Sequence, residues 1–133
     1  MAAVVVDTHA ILWYITRDPR LSQKALDALE ATTHAGDPIY VPAICLVELT
    51  CLIEKNRLPS AAEDRLFEAL DDPERPPRFV PMDRSIVDAV KLVSRAEVPD
   101  MPDRIVAATA LALQLPLISR DARIRASQVQ TIW

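Results

Sequence analysis

A chain of 133 residues, half of them hydrophobic and only 5% aromatic, has the size of one globular domain with an aliphatic, alanine-filled core. Such a composition argues against disorder, and the formal charge of −4 excludes a broad surface for coating nucleic acid while leaving room for a local basic rim. The single glycine, Gly36, excludes phosphate-cradling loops and dinucleotide fingerprints, which need several.

Val4-Val5-Val6 opens the chain as a short β-branched run that can be buried on both faces, as a central parallel strand requires. It ends on Asp7, after which Thr8 is expected to cap a helix carrying Ile11, Leu12 and Ile15 on one face. The apolar start is interrupted by Asp7 and His9 and lacks a basic leader, so it reads as neither signal peptide nor membrane span. A cytoplasmic protein is expected. Arg17-Asp18-Pro19 breaks the helix, Ser22 caps a second one with Ala25, Leu26 and Leu29, and Gly36-Asp37-Pro38 makes a turn.

Ile39-Tyr40-Val41 reads as the second strand, closed by Pro42. The helix that follows, Ala43 to Lys55, is apolar almost all round and is expected to be buried, with Glu48 in its middle. Cys45 and Cys51 lie six apart on it, face different ways and have no ligand-spaced histidines, so they are expected to be buried, reduced thiols and not a zinc site.

Asn56 can end that helix, and Ser60-Ala61-Ala62-Glu63 has the capping-box pattern for the next, carrying Leu66, Phe67 and Leu70. Asp71 to Pro77 reads as a surface connection, Arg78-Phe79-Val80 as a third strand, and Asp83 as the cap of a helix with Ile86, Val90 and Val93. Pro99 to Asp103 begins another helix, with a face through Ile105, Ala108, Leu111 and Ala112. Leu117-Ile118 is a strand ending at Ser119-Arg120-Asp121, and Val129 to Trp133 adds a short last one. Strands alternate with helices throughout, which predicts a three-layer α/β/α sandwich over residues 1–133 with a mainly parallel sheet.

Open α/β sheets bind ligands beyond the carboxyl ends of their strands, where Asp7 and Asp121 should stand. Asp103 joins them if the connection from Val98 to Pro102 crosses that edge, and Glu48, about one turn into its helix, can point back to the same place. Each acid also has a local explanation: Asp100 as an N-cap, Asp103 as a partner of the helix dipole worth about 0.3 to 1 kcal/mol, Asp121 as a cap, Glu48 as a partner of Arg104. Gathered together they repel, by about 1 kcal/mol per pair at ~4 Å in water and about 4 at an effective dielectric near 20. A cation relieves that repulsion, and an all-oxygen set without His or Cys suits Mg²⁺ or Mn²⁺.

Asp7-Thr8-His9-Ala10-Ile11-Leu12-Trp13, Glu48 in the apolar helix, the run Asp100 to Ala110 and Leu117-Ile118-Ser119-Arg120-Asp121 together resemble a PIN domain, most closely the VapC-type toxins of bacterial toxin and antitoxin pairs. The resemblance runs from residue 7 to residue 121 in the family's order. It implies a Mg²⁺- or Mn²⁺-dependent endoribonuclease leaving 5′-phosphate and 3′-hydroxyl ends, held inactive by a small antitoxin that inserts a segment near the site, and commonly a homodimer. By motif match Asp7, Glu48, Asp103 and Asp121 are the acidic metal-binding quartet, Ser119 the hydroxyl residue two before the last acid, and Asp100 an extra acid. On that reading Asp7, Glu48 and Asp103 hold the main ion and Asp121 completes the site, with Thr8 able to hydrogen-bond nearby and Arg104 and Arg120 able to steer the RNA backbone. His9 is given a positional role, and Trp13 a place in the core or an interface.

Two alternatives stand beside it. A haloacid-dehalogenase-like phosphatase also places an Asp after its first strand but needs a second two residues on, where this chain has His9. A non-catalytic α/β interaction module would use the acids only as helix caps.

Overall fold

The computed structural model describes residues 3–133. Five strands form one sheet, all parallel: β1 (Val4–Val6), β2 (Ile39–Pro42), β3 (Pro77–Val80), β4 (Leu117–Ile118) and β5 (Thr131–Ile132), in the spatial order β3-β2-β1-β4-β5. Val5 of β1 pairs with Tyr40 on one side and Leu117 on the other, so the first strand is the central one. Its Val5 and Val6, with Ile39, Val41, Leu117 and Ile118, have no exposed surface. Leu117→Ala is therefore expected to cost about 2 to 5 kcal/mol, read as a lowered denaturant midpoint at unchanged slope.

Helices α1 (Thr8–Ile15), α2 (Gln23–His34), α3 (Ala43–Glu54) and α4 (Ser60–Asp71) connect β1 to β2 and β2 to β3; α5 (Arg84–Val90), α6 (Met101–Leu113) and α7 (Ala122–Arg125) lead to β4 and β5. Parallel crossovers are right-handed almost without exception, so connections running outward from β1 in opposite directions cover opposite faces. The direction of winding reverses between β1 and β4, and a crevice opens at that switch point beyond the carboxyl ends of the two strands.

Several elements depart from the sequence expectation. Asp7, not Thr8, caps α1, its carboxylate accepting from the Ala10 amide at 2.9 Å, because the chain leaves β1 one residue earlier. Pro59, with no side-chain cap, precedes α4; Ser60 is already helical, and Glu63 accepts instead from the Thr50 hydroxyl at 2.8 Å. Helix α3 is buried on one side only, through Ile44, Cys45 and Leu49, while Val47 is 56% exposed and Cys51 is exposed. A helix in an outer layer meets neighbours on one side, however apolar the other. Conversely α6, packed between β1 and helices α3 and α5, is buried continuously from Ile105 to Ala110, while Ala112 is exposed.

Where helices stop, α3 is followed by Asn56 at φ 56°, as read, but α6 ends on Gln114 at φ 55°, a left-handed residue carrying no glycine or asparagine signal. No described helix is long and apolar enough to cross a membrane.

Candidate active site

Four separate segments bring carboxylates to the switch point. Asp7 arrives at the end of β1, where its amide donates to the Ile118 carbonyl of β4 at 3.2 Å. Asp121 follows β4 and caps α7, accepting from the amides of Arg123 and Ile124, each at 3.0 Å. Asp100 caps α6 through the Asp103 amide at 3.1 Å, which sets Asp103 in the first turn. Glu48 reaches in from α3. These five acids, with Thr8, His9, Trp13, Val106 and Arg120, line one cavity of about 350 Å³.

Two hydroxyls fix the acids from beneath. Thr8 is buried and donates to Glu48 Oε1 at 2.5 Å, tying the start of α1 to α3. Ser119, fully buried, accepts from the Asp121 amide at 3.1 Å while its hydroxyl faces Asp7, so one side chain links the acids that follow β1 and β4. Cys45 lies in the same floor, its thiol turned to the Val6 carbonyl and raised out of its ordinary titration range by burial. It is inert packing.

The charges are uncompensated. Burial raises the Asp7 carboxyl, against the hydrogen bonds from Ser119 and the Ala10 amide. Asp103 is pushed up to about 7, first by burial and then by the negative charges of Asp121, Asp100, Glu48 and Asp7, in that order. Repulsion from each of the other acids registers at one carboxyl, the electrostatic signature of convergence.

As the side chains are posed, no group of three His, Cys, Asp or Glu among the described residues closes on a point as an ion's direct ligands would. For a hard, strongly hydrated ion that closure is not required, since Mg²⁺ keeps several waters and takes one or two carboxylates directly. The acids on this cavity offer carboxylate oxygens, which fit such an ion and do not suit zinc or copper.

Of the two arginines beside the acids, Arg104 departs from expectation. Its guanidinium donates to the carbonyls of Val90 and Val93 at 3.1 and 3.0 Å, fastening the end of α5 to α6, and its Nε is buried without a partner. It is not on the cavity wall and makes no pair with Glu48. Arg120 is exposed, lines the cavity, and rests 4.6 Å from the centroid of the Trp13 ring. Sequence reasoning allowed Thr8 a hydrogen bond near the site but not its partner, Glu48, and missed the placing of Trp13, 2% exposed, against the cavity wall. A polar side chain next to a strand-end acid was the available signal for the first.

A larger cavity, about 1080 Å³, runs between the end of α1, α2, α4 and the start of β3, over Tyr14, Leu21, Leu26 and Pro77. None of the quartet lines it, and size alone does not make it the site of chemistry.

Sheet and cavity together define a class: a parallel α/β protein whose candidate site is a carboxylate-rich pocket at the switch point. Residues 4–128 match the PIN domain family, and the chain belongs to it. Ribonuclease VapC22 of Mycobacterium tuberculosis (strain ATCC 25618 / H37Rv) is 29% identical over 136 aligned positions, covering 100% of both chains. Among solved structures, VapBC2 of Rickettsia felis bound to a DNA fragment from its promoter superposes with a TM-score of 0.72 at 15% identity, covering 97% of this chain and 96% of that one. A toxin-antitoxin complex from Klebsiella pneumoniae gives 0.66 at 24% identity, over 98% and 96%. These structural likenesses carry the fold.

Proposed function

We propose that this chain is an endoribonuclease of the PIN family acting as the toxin of a toxin-antitoxin pair, with Mg²⁺ or Mn²⁺ as its cofactor. Membership of the family and the ribonuclease relative support the reaction, and the toxin-antitoxin complexes among the structural neighbours support a small antitoxin as partner. The observation that carries the reading is the convergence of Asp7, Glu48, Asp100, Asp103 and Asp121 on one cavity, with Asp103 raised to about 7 by burial and then by the charges of the other four. A helix-capping role alone gives Asp100, Asp121 and Asp7 no reason to face one another. Family membership likewise replaces the phosphatase and interaction-module alternatives.

On this reading Asp7, Glu48 and Asp103 hold the ion directly or through water, and Asp121 completes the site or supports a second ion. When bound, such an ion neutralises phosphate charge and makes a water acidic enough to attack phosphorus. The protein's own part is orientation. Ser119 and the Ala10 amide fix the Asp7 carboxylate, Thr8 fixes Glu48, and Asp100 adds charge at the rim. Arg120 supplies positive charge where the RNA backbone enters; the buried contacts of Arg104 leave it a structural role. The protein acts in the cytoplasm, as a single domain and as a homodimer.

Cleavage of single-stranded RNA should appear on adding Mg²⁺ or Mn²⁺, stop with excess chelator, and leave 5′-phosphate ends. Cleavage indifferent to chelator would overturn the metal assignment, and purified protein that cuts no RNA with either ion would overturn the function.

A further inference from the structure

One wall of the acid cavity is aromatic and cationic, and the chemistry above leaves part of it unused. His9 sits in the first turn of α1, is exposed, and lines the cavity beside Asp7. Its ring lies 5.4 Å from that of Trp13, tilted by 46°. Trp13 is held firmly: Trp133 packs on it at 5.9 Å, and the guanidiniums of Arg20 and Arg120 lie 4.9 and 4.6 Å from its centroid. The buried indole is a fixed backing, and His9 is the ring that backing presents at the cavity mouth.

A chain of net charge −4, with acids at its centre, offers RNA no broad basic surface. Single-stranded RNA has a second source of affinity, the flat faces of its unpaired bases, which stack on aromatic side chains. We infer that His9 is a base-contacting residue of this site: its imidazole, propped on Trp13, stacks on a nucleobase next to the phosphate held at the acids, while Arg120 faces the backbone. The inference rests on the RNA-cleaving reading above and adds to it how the substrate is gripped and where base preference arises.

The test compares wild type, His9→Ala and His9→Phe by fluorescence anisotropy with two probes, a short labelled oligoadenylate and the same sugar-phosphate chain made abasic. Calcium replaces magnesium, and a gel checks that the probes stay intact. His9→Ala should bind the oligoadenylate roughly five- to tenfold more weakly, the low end of what stacking on one side chain supplies. His9→Phe should return to within about twofold of wild type, and all three should bind the abasic chain alike. With magnesium, base preference at mapped cleavage ends should flatten in His9→Ala and persist in His9→Phe.

Equal affinity of wild type and His9→Ala for the oligoadenylate would overturn the inference. So would an equal loss on the abasic chain, which indicates a phosphate contact, or a folded His9→Phe as weak as His9→Ala, which indicates a hydrogen bond specific to imidazole. Wild type that cleaves RNA while His9→Ala binds and cuts identically sinks the base contact alone. Wild type that neither binds nor cuts sinks the nuclease reading with it.

Discussion

Asp7→Asn is expected to lower RNA cleavage by about 10²- to 10³-fold or more, the range for removing one preorganised charged group from a site, while leaving the fold intact. Separation of the two effects follows from the double role of the residue. Asparagine caps helices as well as aspartate does, so the bond from the Ala10 amide to the side-chain oxygen survives. The substitution also removes one of the charges that repel Asp103. Relief of about 1 kcal/mol would raise the melting temperature of the metal-free protein by roughly 4 °C. Single-turnover cleavage and a thermal melt on one preparation measure both quantities. A variant that cuts at the wild-type rate removes Asp7 from the site, whereas a collapse in melting temperature makes its contribution chiefly structural.

Without divalent ions, the protein should lose stability as pH rises from about 4 to about 7. Asp103 keeps its proton up to about 7 in the folded state but releases it near the ordinary value of 3.8 when unfolded. Between those values the native state binds more protons than the unfolded state, so stability is greatest on the acid side and declines through this window, then levels. The raised Asp7 carboxyl acts in the same direction. Asp103 is only half-buried, so solvent screening cuts the effect to something on the order of 2 kcal/mol. Urea titrations in chelator at a series of pH values should show the decline, and Asp103→Asn should flatten it. Adding Mg²⁺ or Mn²⁺ at pH 8 should restore the loss, because a cation binds the deprotonated cluster and competes with its protons. Stability that instead climbs between pH 5 and pH 8 in chelator would contradict an uncompensated acid cluster.

Much of this architecture was legible in the residues because local signals agreed with one another. Val4-Val5-Val6, Ile39-Tyr40-Val41 and Leu117-Ile118 are each followed by a helix-starting residue, and that alternation fixes a parallel sheet with its acids at one edge. Ser22, Asp83 and Asp121 cap the helices they precede. Where the reading failed, the deciding contact lay far along the chain. Thr8 and Asp7 are both residue types that cap helices; Asp7, the better of the two, takes the position, and the Thr8 hydroxyl goes instead to Glu48, forty residues on. Arg104 reads as a surface arginine beside an acid until Val90 and Val93 offer it their carbonyls. In α3 hydrophobicity did not separate Ile44, Cys45 and Leu49, which are buried, from Val47 and Cys51, which are exposed, since a helix apolar almost all round does not reveal which side faces the sheet.

The register of the central strand ties the crevice together across the chain. Val4 and Val5 pair with Ile39 and Tyr40 on one side, whereas Val5 and Val6 pair on the other with Leu117 and Ile118, far along the chain. Until those strands meet, Asp7 lacks half of its surroundings. The side chains that face it, at residues 119 and 121, come into place only when β4 docks. Any activity housed in this crevice therefore depends on a long-range strand pairing, the kind of contact that forms slowly in folding.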